Sequence, residues 1–150
     1  MKMRYFIWLL YIGGQLFLGT LIYYQTSEEL KAFVWLESWC PWLYQLAVNL
    51  AELFPKIPSG VWVDNHLADI LWASSFASFM VGIWSAQLRF YKSLLLGMGC
   101  GIFYESLQLV GVMSGTYDHF DALFSLMAGG ISTVITCLLL QRTHGFRAEQ

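Results

Sequence analysis

The residue best placed for chemistry in this sequence is Glu105, a carboxylic acid inside a stretch of mostly apolar residues. An acid inside a membrane span is costly when ionised, so it usually faces a bundle interior or a water-filled cavity. At helical spacing, Glu105 and Gln108 share a face with Gly97 and Gly101, whose small size lets a neighbouring helix approach closely. This face predicts a functional polar pocket. The structural alternative is that Glu105 and Gln108 only hydrogen-bond to neighbouring helices.

A second group of chemically capable residues runs from Tyr117 to Asp121 and leads into the last apolar stretch. Asp118 and Asp121 are three residues apart, so on a helix they share a face. This spacing predicts that both acids lie at the edge of the same pocket. The structural alternative is that Asp118 caps the helix N-terminus and that the helix dipole stabilises Asp121.

A third group, His66 and Asp69 followed by Trp72 about one turn later, opens another apolar stretch. In the structural alternative, His66 is a solvated interfacial side chain and Asp69 interacts with the helix dipole. In a bundle of consecutive membrane spans all three groups reach the same end, so we expect their side chains to converge. The candidate pocket residues are Glu105, Gln108, Asp121, Asp69, Asp118, Tyr117, His66 and Trp72.

The chemistry expected of this pocket is that of crowded carboxyl groups. Such groups favour a shared proton or a divalent cation, so a cation is compatible with the site although no cofactor is predicted. The sequence contains no recognisable Ser/His/Asp or Cys/His nucleophile arrangement, and no Cys/His spacing resembles a zinc site. It therefore identifies no catalytic residue and favours a protein that is not an enzyme.

The composition indicates what positions these residues. The chain is 57% hydrophobic and only 12% charged, whereas an average soluble domain is about 25% charged. A chain this apolar cannot cover a water-facing surface, which excludes a disordered chain and an ordinary cytosolic enzyme. With 8 Lys and Arg residues and a net charge of −2, it has no basic patch for nucleic acid. The composition predicts an integral membrane protein.

Four segments are long and apolar enough to span a bilayer as helices, at about 5–24, 68–88, 93–113 and 120–140. Between the first two, at about 27–54, apolar and aromatic residues recur at helical spacing with polar residues between them. That segment predicts one or two interfacial amphipathic helices bent at Pro41. The expected fold is an all-α membrane protein with a single domain over residues 1–150.

The orientation of the chain is predicted from its basic residues, which concentrate on the cytoplasmic side of membrane proteins. One side of the predicted bilayer carries Lys2, Arg4, Arg89, Lys92, Arg142 and Arg147. We therefore expect both termini in the cytoplasm and the acidic pocket facing outward. The three cysteines, at positions 40, 100 and 137, fall at different predicted depths, so no intrachain disulfide is expected.

Three motifs together resemble a known family. They are Asn65-His66-x-x-Asp69 before the second span, Glu105-x-x-Gln108 in the third, and Gly115-Thr116-Tyr117-Asp118-x-x-Asp121 before the fourth, which contains Gly129-Gly130. This set is similar to that of the VanZ-like family of small bacterial membrane proteins. The resemblance implies a helical domain in a bacterial cytoplasmic membrane. The family's name-giving member is associated with low-level resistance to teicoplanin, a lipid-bearing glycopeptide antibiotic, and no general catalytic activity is established for the family.

The leading functional prediction is a membrane protein whose outward-facing acidic pocket binds an envelope amphiphile or alters the response to a glycopeptide antibiotic. One alternative is a membrane enzyme that acts on lipid-linked envelope headgroups through its carboxyl groups. A second alternative is a small proton-coupled transporter, assembled as a homo-oligomer, with Glu105 as the proton site. A polar path that continues toward the cytoplasm would favour transport, and a pocket open only outward would favour binding.

Overall fold

The computed structural model of the protein describes residues 2–26, 31–56, 60, 66–84, 86–111 and 118–140. Every element within these ranges is helical, which confirms the predicted all-α class. In chain order the helices are α1 (Lys2–Thr26), α2 (Lys31–Trp39), α3 (Pro41–Glu52), α4 (Ala68–Trp84), α5 (Phe90–Leu109) and α6 (His119–Leu140). The cysteines at positions 40, 100 and 137 are thiols and not members of a disulfide.

Helices α1, α4, α5 and α6 occupy the four stretches in which spans are predicted, with differences at their ends. α4 ends at Trp84, before the predicted boundary near 88, because the Gln87 amide donates to the Trp84 carbonyl in a turn. Arg89 is then extended (φ −66°, ψ 151°), and α5 begins at Phe90. Positions 85–89 therefore connect these two helices, where the prediction has 89–92.

Helices α2 and α3 occupy the segment predicted to contain interfacial helices, and they are separate elements. Cys40 lies between them with a non-helical backbone (φ −147°, ψ 71°), and Pro41 is the first residue of α3. A proline at that position breaks no helical hydrogen bond, because the first amides of a helix have no intrahelical partner. Trp39 and Trp42 are 90% and 69% exposed. These helices thus present large apolar side chains outward, as the interfacial prediction requires.

The direction of α4 relative to α1 follows from their contacts. The Trp8 indole N–H, near the start of α1, donates to the Ser78 carbonyl oxygen (3.3 Å). Near the end of α1, the Tyr23 hydroxyl donates to Asp69, at the start of α4. Because residue numbers rise on one helix as they fall on the other, α1 and α4 are antiparallel.

The remaining bundle helices alternate in direction in the same way. Gly101 of α5 packs on the Ser125 backbone, while Gly97 packs on Thr133, so α5 and α6 are antiparallel. His66, directly before α4, contacts Asp121 in the first turn of α6, so α4 and α6 run in parallel. α4 touches each of the other three bundle helices. The ends of α1 and α5 therefore lie at the same end of the bundle as the starts of α4 and α6.

The contact between α5 and α6 is made by glycines. A Cβ atom on Gly97 would lie 2.9 Å from the Gly129 carbonyl oxygen, and one on Gly129 would lie 3.2 Å from the Gly101 Cα. At Gly129 the nearest atoms all belong to the backbone of α5, and at Gly97 the Thr133 side chain also lies against the glycine. The prediction that the Gly97 and Gly101 face packs against a neighbouring helix is confirmed, and this packing turns Glu105 toward α6.

Two described helices are long and apolar enough to cross a membrane. They cover Met3–Thr26 in α1 and His119–Leu140 in α6, with mean hydropathies of 1.6 and 2.1. α4 is also apolar but has 17 residues, and α5 carries several polar side chains along its length. The described part of the chain is therefore an all-helical protein with two candidate membrane spans.

Candidate functional site

One end of the bundle gathers most of the acidic residues that the sequence singles out. This acidic end is formed by the last turns of α1 and α5 and by the first turns of α4 and α6, and it carries Tyr23, His66, Asp69, Glu105, Asp118 and Asp121. These residues come from four separate parts of the chain, and the packing of the four helices brings them together.

Glu105 lies at the centre of the acidic end. Only 3% of its surface is exposed, and Asp121 and Asp69 are both close enough to interact electrostatically with its carboxyl group. The backbone of Asp118 donates a hydrogen bond to it. Its Oε2 atom is buried, and among the described residues it has no hydrogen-bond partner. An acid that is buried but incompletely satisfied needs an external partner or a proton.

Asp121 pairs with His66 across the start of α4 and α6. The Nδ1 atom of His66 contacts Oδ1 of Asp121, and both side chains are largely buried, with 16% and 17% exposed. The imidazole also packs on the Phe124 ring, with 5.6 Å between ring centroids. The ring is thus fixed by one polar and one apolar contact, which makes His66 part of the site rather than a solvated interfacial side chain.

Asp69 forms a hydrogen bond with Tyr23, which is not among the candidate residues predicted from the sequence. The Tyr23 hydroxyl of α1 donates to Oδ1 of Asp69, and the Tyr23 ring packs edge-on against Trp72, with 5.6 Å between centroids. The sequence offered a weak signal, because Tyr23 lies one turn after Gly19, and a small residue in a span permits close helix packing on that face. A tyrosine near the end of a predicted span is more readily read as an interfacial anchor.

The other candidate residues have different positions. Asp118 accepts a hydrogen bond from the Phe120 amide (2.9 Å), which confirms the capping alternative for its side chain. Trp72 packs on α1 against Gly19 and Tyr23 and is 39% exposed. Gln108 is half-buried one turn beyond Glu105. Tyr117 lies outside the described residues.

The acidic end therefore offers hydrogen-bond acceptors in excess. Four carboxyl groups, those of Glu105, Asp69, Asp118 and Asp121, are accompanied by one imidazole and one phenol hydroxyl. Within the described ranges, no group of three His, Cys, Asp or Glu side chains is arranged to hold a metal ion. The suggestion of a divalent cation stays a prediction, and the arrangement suits a proton or an organic cation.

Fold and site together define a class, an all-helical protein with two candidate membrane spans and an acidic cluster buried at one end of a four-helix bundle. Comparison with protein-family models, with curated proteins and with solved structures finds no match for this chain. The resemblance to the VanZ-like family stays a prediction.

Proposed function

We propose that this protein is a four-span membrane protein whose acidic end faces outward and binds the headgroup of an envelope amphiphile. In this proposal α1, α4, α5 and α6 all cross the bilayer, and α2 and α3 lie on its outer surface beside the opening of the pocket. The distribution of charge supports the orientation, since three of the described basic residues, Arg4, Arg89 and Lys92, lie at the opposite end of the bundle from the acidic cluster.

The distribution of side-chain size supports the membrane assignment. Val81 and Thr136 are among the largest fully buried side chains, whereas Phe120 and Leu138 are 63% and 62% exposed. A water-soluble domain buries its large apolar side chains. Small residues inside and large apolar residues outside are typical of helices that pack within lipid.

The observation that carries the binding proposal is the buried Oε2 atom of Glu105. It has no partner among the described residues and lies where the carboxyl groups of Asp121 and Asp69 converge on it. A ligand that donates hydrogen bonds would satisfy this atom, and a positive charge would balance the acidic excess. We therefore propose an amphiphile with a protonated amine in its headgroup and an apolar tail that stays in the bilayer.

The glycopeptide part of the proposal depends on the VanZ-like resemblance. A lipid-bearing glycopeptide such as teicoplanin combines a polar body with an acyl tail, so it could approach the acidic end from the outer leaflet. It is the second ligand to test, after a simple amphiphilic amine.

The test measures thermal unfolding of the protein in phosphatidylcholine nanodiscs. Dodecylammonium is the probe, and dodecanoate, with the same chain length and the opposite charge, is the matched control ligand. A ligand at a hundredfold excess over its Kd stabilises the folded state by about 2.7 kcal/mol. We expect dodecylammonium to raise the unfolding temperature and dodecanoate to leave it unchanged.

The E105Q variant identifies the site. Loss of a hydrogen bond to a charged group costs about 1.5–3 kcal/mol, so we expect at least a tenfold weaker affinity for dodecylammonium. E37Q makes the same change at an exposed position on α2 and should bind like the unmodified protein. Equal stabilisation by both probes, or full affinity in E105Q, would contradict the proposal.

A further inference from the structure

The outward side of α4 carries a stripe of four large apolar side chains. Trp72, Phe76, Phe79 and Ile83 follow one another at intervals of three or four residues. On an α-helix this spacing places them within about 60° of one another around the helix axis. Each is between 39% and 48% exposed. The stripe begins at the level of the acidic end and runs most of the length of α4 toward the other end of the bundle.

Helices α1 and α5 flank this stripe without closing over it. On one side, Gly82 of α4 meets the Trp8 indole of α1. On the other side, Phe103 of α5 lies beside Phe76, with 6.5 Å between ring centroids. In the described part of the chain, α1 and α5 have almost no contact with each other, because each packs on α4 instead. The stripe is therefore the floor of a groove, the α4 groove, and α1 and α5 are its walls.

The other outward surfaces of the bundle have a different shape. Met127, Ile131 and Leu138 on α6 are 52%, 57% and 62% exposed, so they project farther than the side chains of the α4 stripe. Between α5 and α6, the contact of Gly101 with the Ser125 backbone leaves no gap, and α1 and α6 also touch each other directly. Within the described ranges, the α4 groove is thus a recess, whereas the outer side of α6 is a ridge.

The upper end of the α4 groove is polar. Asp69 is half-buried one turn before Trp72, and it accepts a hydrogen bond from the Tyr23 hydroxyl of α1. From the opposite wall, Tyr104 of α5 is close enough to interact electrostatically with Tyr23. The carboxyl group of Glu105 interacts electrostatically with Asp69 and so continues the acidic surface inward. An apolar groove that ends at carboxyl groups matches a molecule with an apolar chain and a cationic head.

We infer that the α4 groove holds the alkyl chain of a single-chain amphiphilic amine, which enters from the bilayer between α1 and α5 and places its ammonium group beside Asp69. The inference rests on the proposed function and adds the position of the chain and the route of entry. The charges decide the occupant, because an ammonium group pairs with the carboxyl groups whereas the phosphate of an ordinary phospholipid is repelled by them. The bilayer is as apolar as the groove, so the groove guides the chain and contributes little affinity of its own.

The test is photolabelling of the full chain in phosphatidylcholine nanodiscs, with the labelled positions mapped by mass spectrometry. Two analogues of dodecylammonium carry a diazirine, one beside the amine and one at the end of the chain. Along α4, Trp72 lies about 4.5 Å and Phe79 about 15 Å from the level of Asp69. We expect the first analogue to label the turn around Trp72 and the second to label the turn around Phe79. About a hundredfold excess of unlabelled dodecylammonium should reduce both labels roughly tenfold or more.

The ridge on α6 is the reference surface for this experiment. Met127 and Ile131 face the same bilayer but lie in no groove, so their labelling should be weak and should not respond to unlabelled dodecylammonium. Equal labelling of α4 and α6 that unlabelled dodecylammonium does not reduce would mean that bilayer lipid fills the groove, and would overturn the inference.

A matched pair of variants tests the chain without a label. F79A shortens a side chain on the groove floor, and M127A shortens one of similar exposure on the α6 ridge. Loss of several van der Waals contacts should weaken dodecylammonium binding to F79A about threefold. Butylammonium is too short to reach Phe79, so its affinity should not change, and M127A should bind both amines like the unmodified protein. Thermal unfolding without ligand establishes that each variant is folded.

The outcomes separate this inference from the proposed function. Full dodecylammonium affinity in F79A, or an equal loss for butylammonium, would overturn the inference. If E105Q still weakens dodecylammonium binding in that case, the headgroup site stands and only the groove is wrong. If dodecylammonium does not stabilise the unmodified protein at all, the proposed function fails and the inference fails with it.

Discussion

The α5–α6 and α1–α4 contacts are both close, but they are built in different ways. Between α5 and α6, glycines bring backbone against backbone, as where Gly101 meets Ser125. Between α1 and α4, a tryptophan from one helix fills the space beside a glycine of the other, as Trp8 does at Gly82 and Trp72 at Gly19. At Gly101 and Gly129 the first contact consists of backbone atoms that cannot move aside, whereas the second contact has a movable indole ring at each glycine.

The difference matters for the acidic end. Glu105 and Asp121 are carried by the two helices that glycine packing holds in a fixed relation, whereas Asp69 and Tyr23 are carried by the pair joined through indole rings. We expect the α5–α6 contact to set the geometry of the site and the α1–α4 contact to tolerate change.

The largest effect is expected for G101A. The added methyl would lie 3.0 Å from the Ser125 carbonyl carbon and 3.2 Å from the Gly129 Cα, so α5 and α6 must separate. Overpacking costs about 1–3 kcal/mol, and alanine returns up to about 1 kcal/mol of helix propensity. We predict a net loss of about 2 kcal/mol in the free energy of unfolding, measured by denaturant titration in detergent, together with weaker dodecylammonium binding.

G99A is the control for this prediction. Gly99 lies on the same helix, and a Cβ atom there would meet nothing within 4 Å. Its only effect should be a small gain in stability, of about 0.5–1 kcal/mol, from the helix propensity of alanine. Equal stabilities of G101A and G99A would contradict the backbone contact between α5 and α6.

A smaller effect is expected for G82A. The methyl would meet the Trp8 indole, whose Cε2 and Cη2 atoms would lie 2.6 Å and 3.0 Å away. Because α1 packs chiefly on α4, a tilt of the ring and a small shift of α1 can relieve the clash. We predict a loss of about 1 kcal/mol, with dodecylammonium affinity unchanged. A matched G13A variant, which has open space around it, should not lose stability.

A double-mutant cycle sharpens this second prediction. In a W8L background the ring is absent, so G82A should no longer destabilise the protein, and the coupling between the two changes should be measurable. If G82A costs as much with Leu at position 8 as with Trp, the indole is not what fills this contact.

Much of this arrangement could be predicted from the sequence because it is local. Spacing along one helix placed Gly97, Gly101 and Glu105 on one face, and the acids at the starts of α4 and α6 marked the end at which the groups meet. The Pro41 break between α2 and α3 is likewise a property of one residue type.

The partners of these residues could not be predicted, because they depend on the register between distant helices. Tyr23 and Asp69 are 46 residues apart, and His66 and Asp121 are 55 apart. A shift of one residue in either helix would rotate the side chain by about 100° and remove the contact. For the same reason the sequence placed Trp72 in the pocket, although its ring packs on Gly19 and Tyr23.

The smallest effect is expected for Y23F, which tests the polar part of the α1–α4 contact alone. The ring and its packing on Trp72 are kept, and only the hydroxyl that donates to Asp69 is lost. Because Asp69 is half-buried, water can replace the donor, so we predict a loss of about 0.5 kcal/mol in the free energy of unfolding.

The control is Y91F, at a tyrosine that is 53% exposed, which should leave the free energy of unfolding unchanged. In a D69A background the Y23F change should become neutral, since the side-chain oxygen that accepts the hydrogen bond is gone. A loss of more than about 2 kcal/mol would mean that the hydroxyl is as important to the bundle as the glycine contact, and the distinction between the two interfaces would fail.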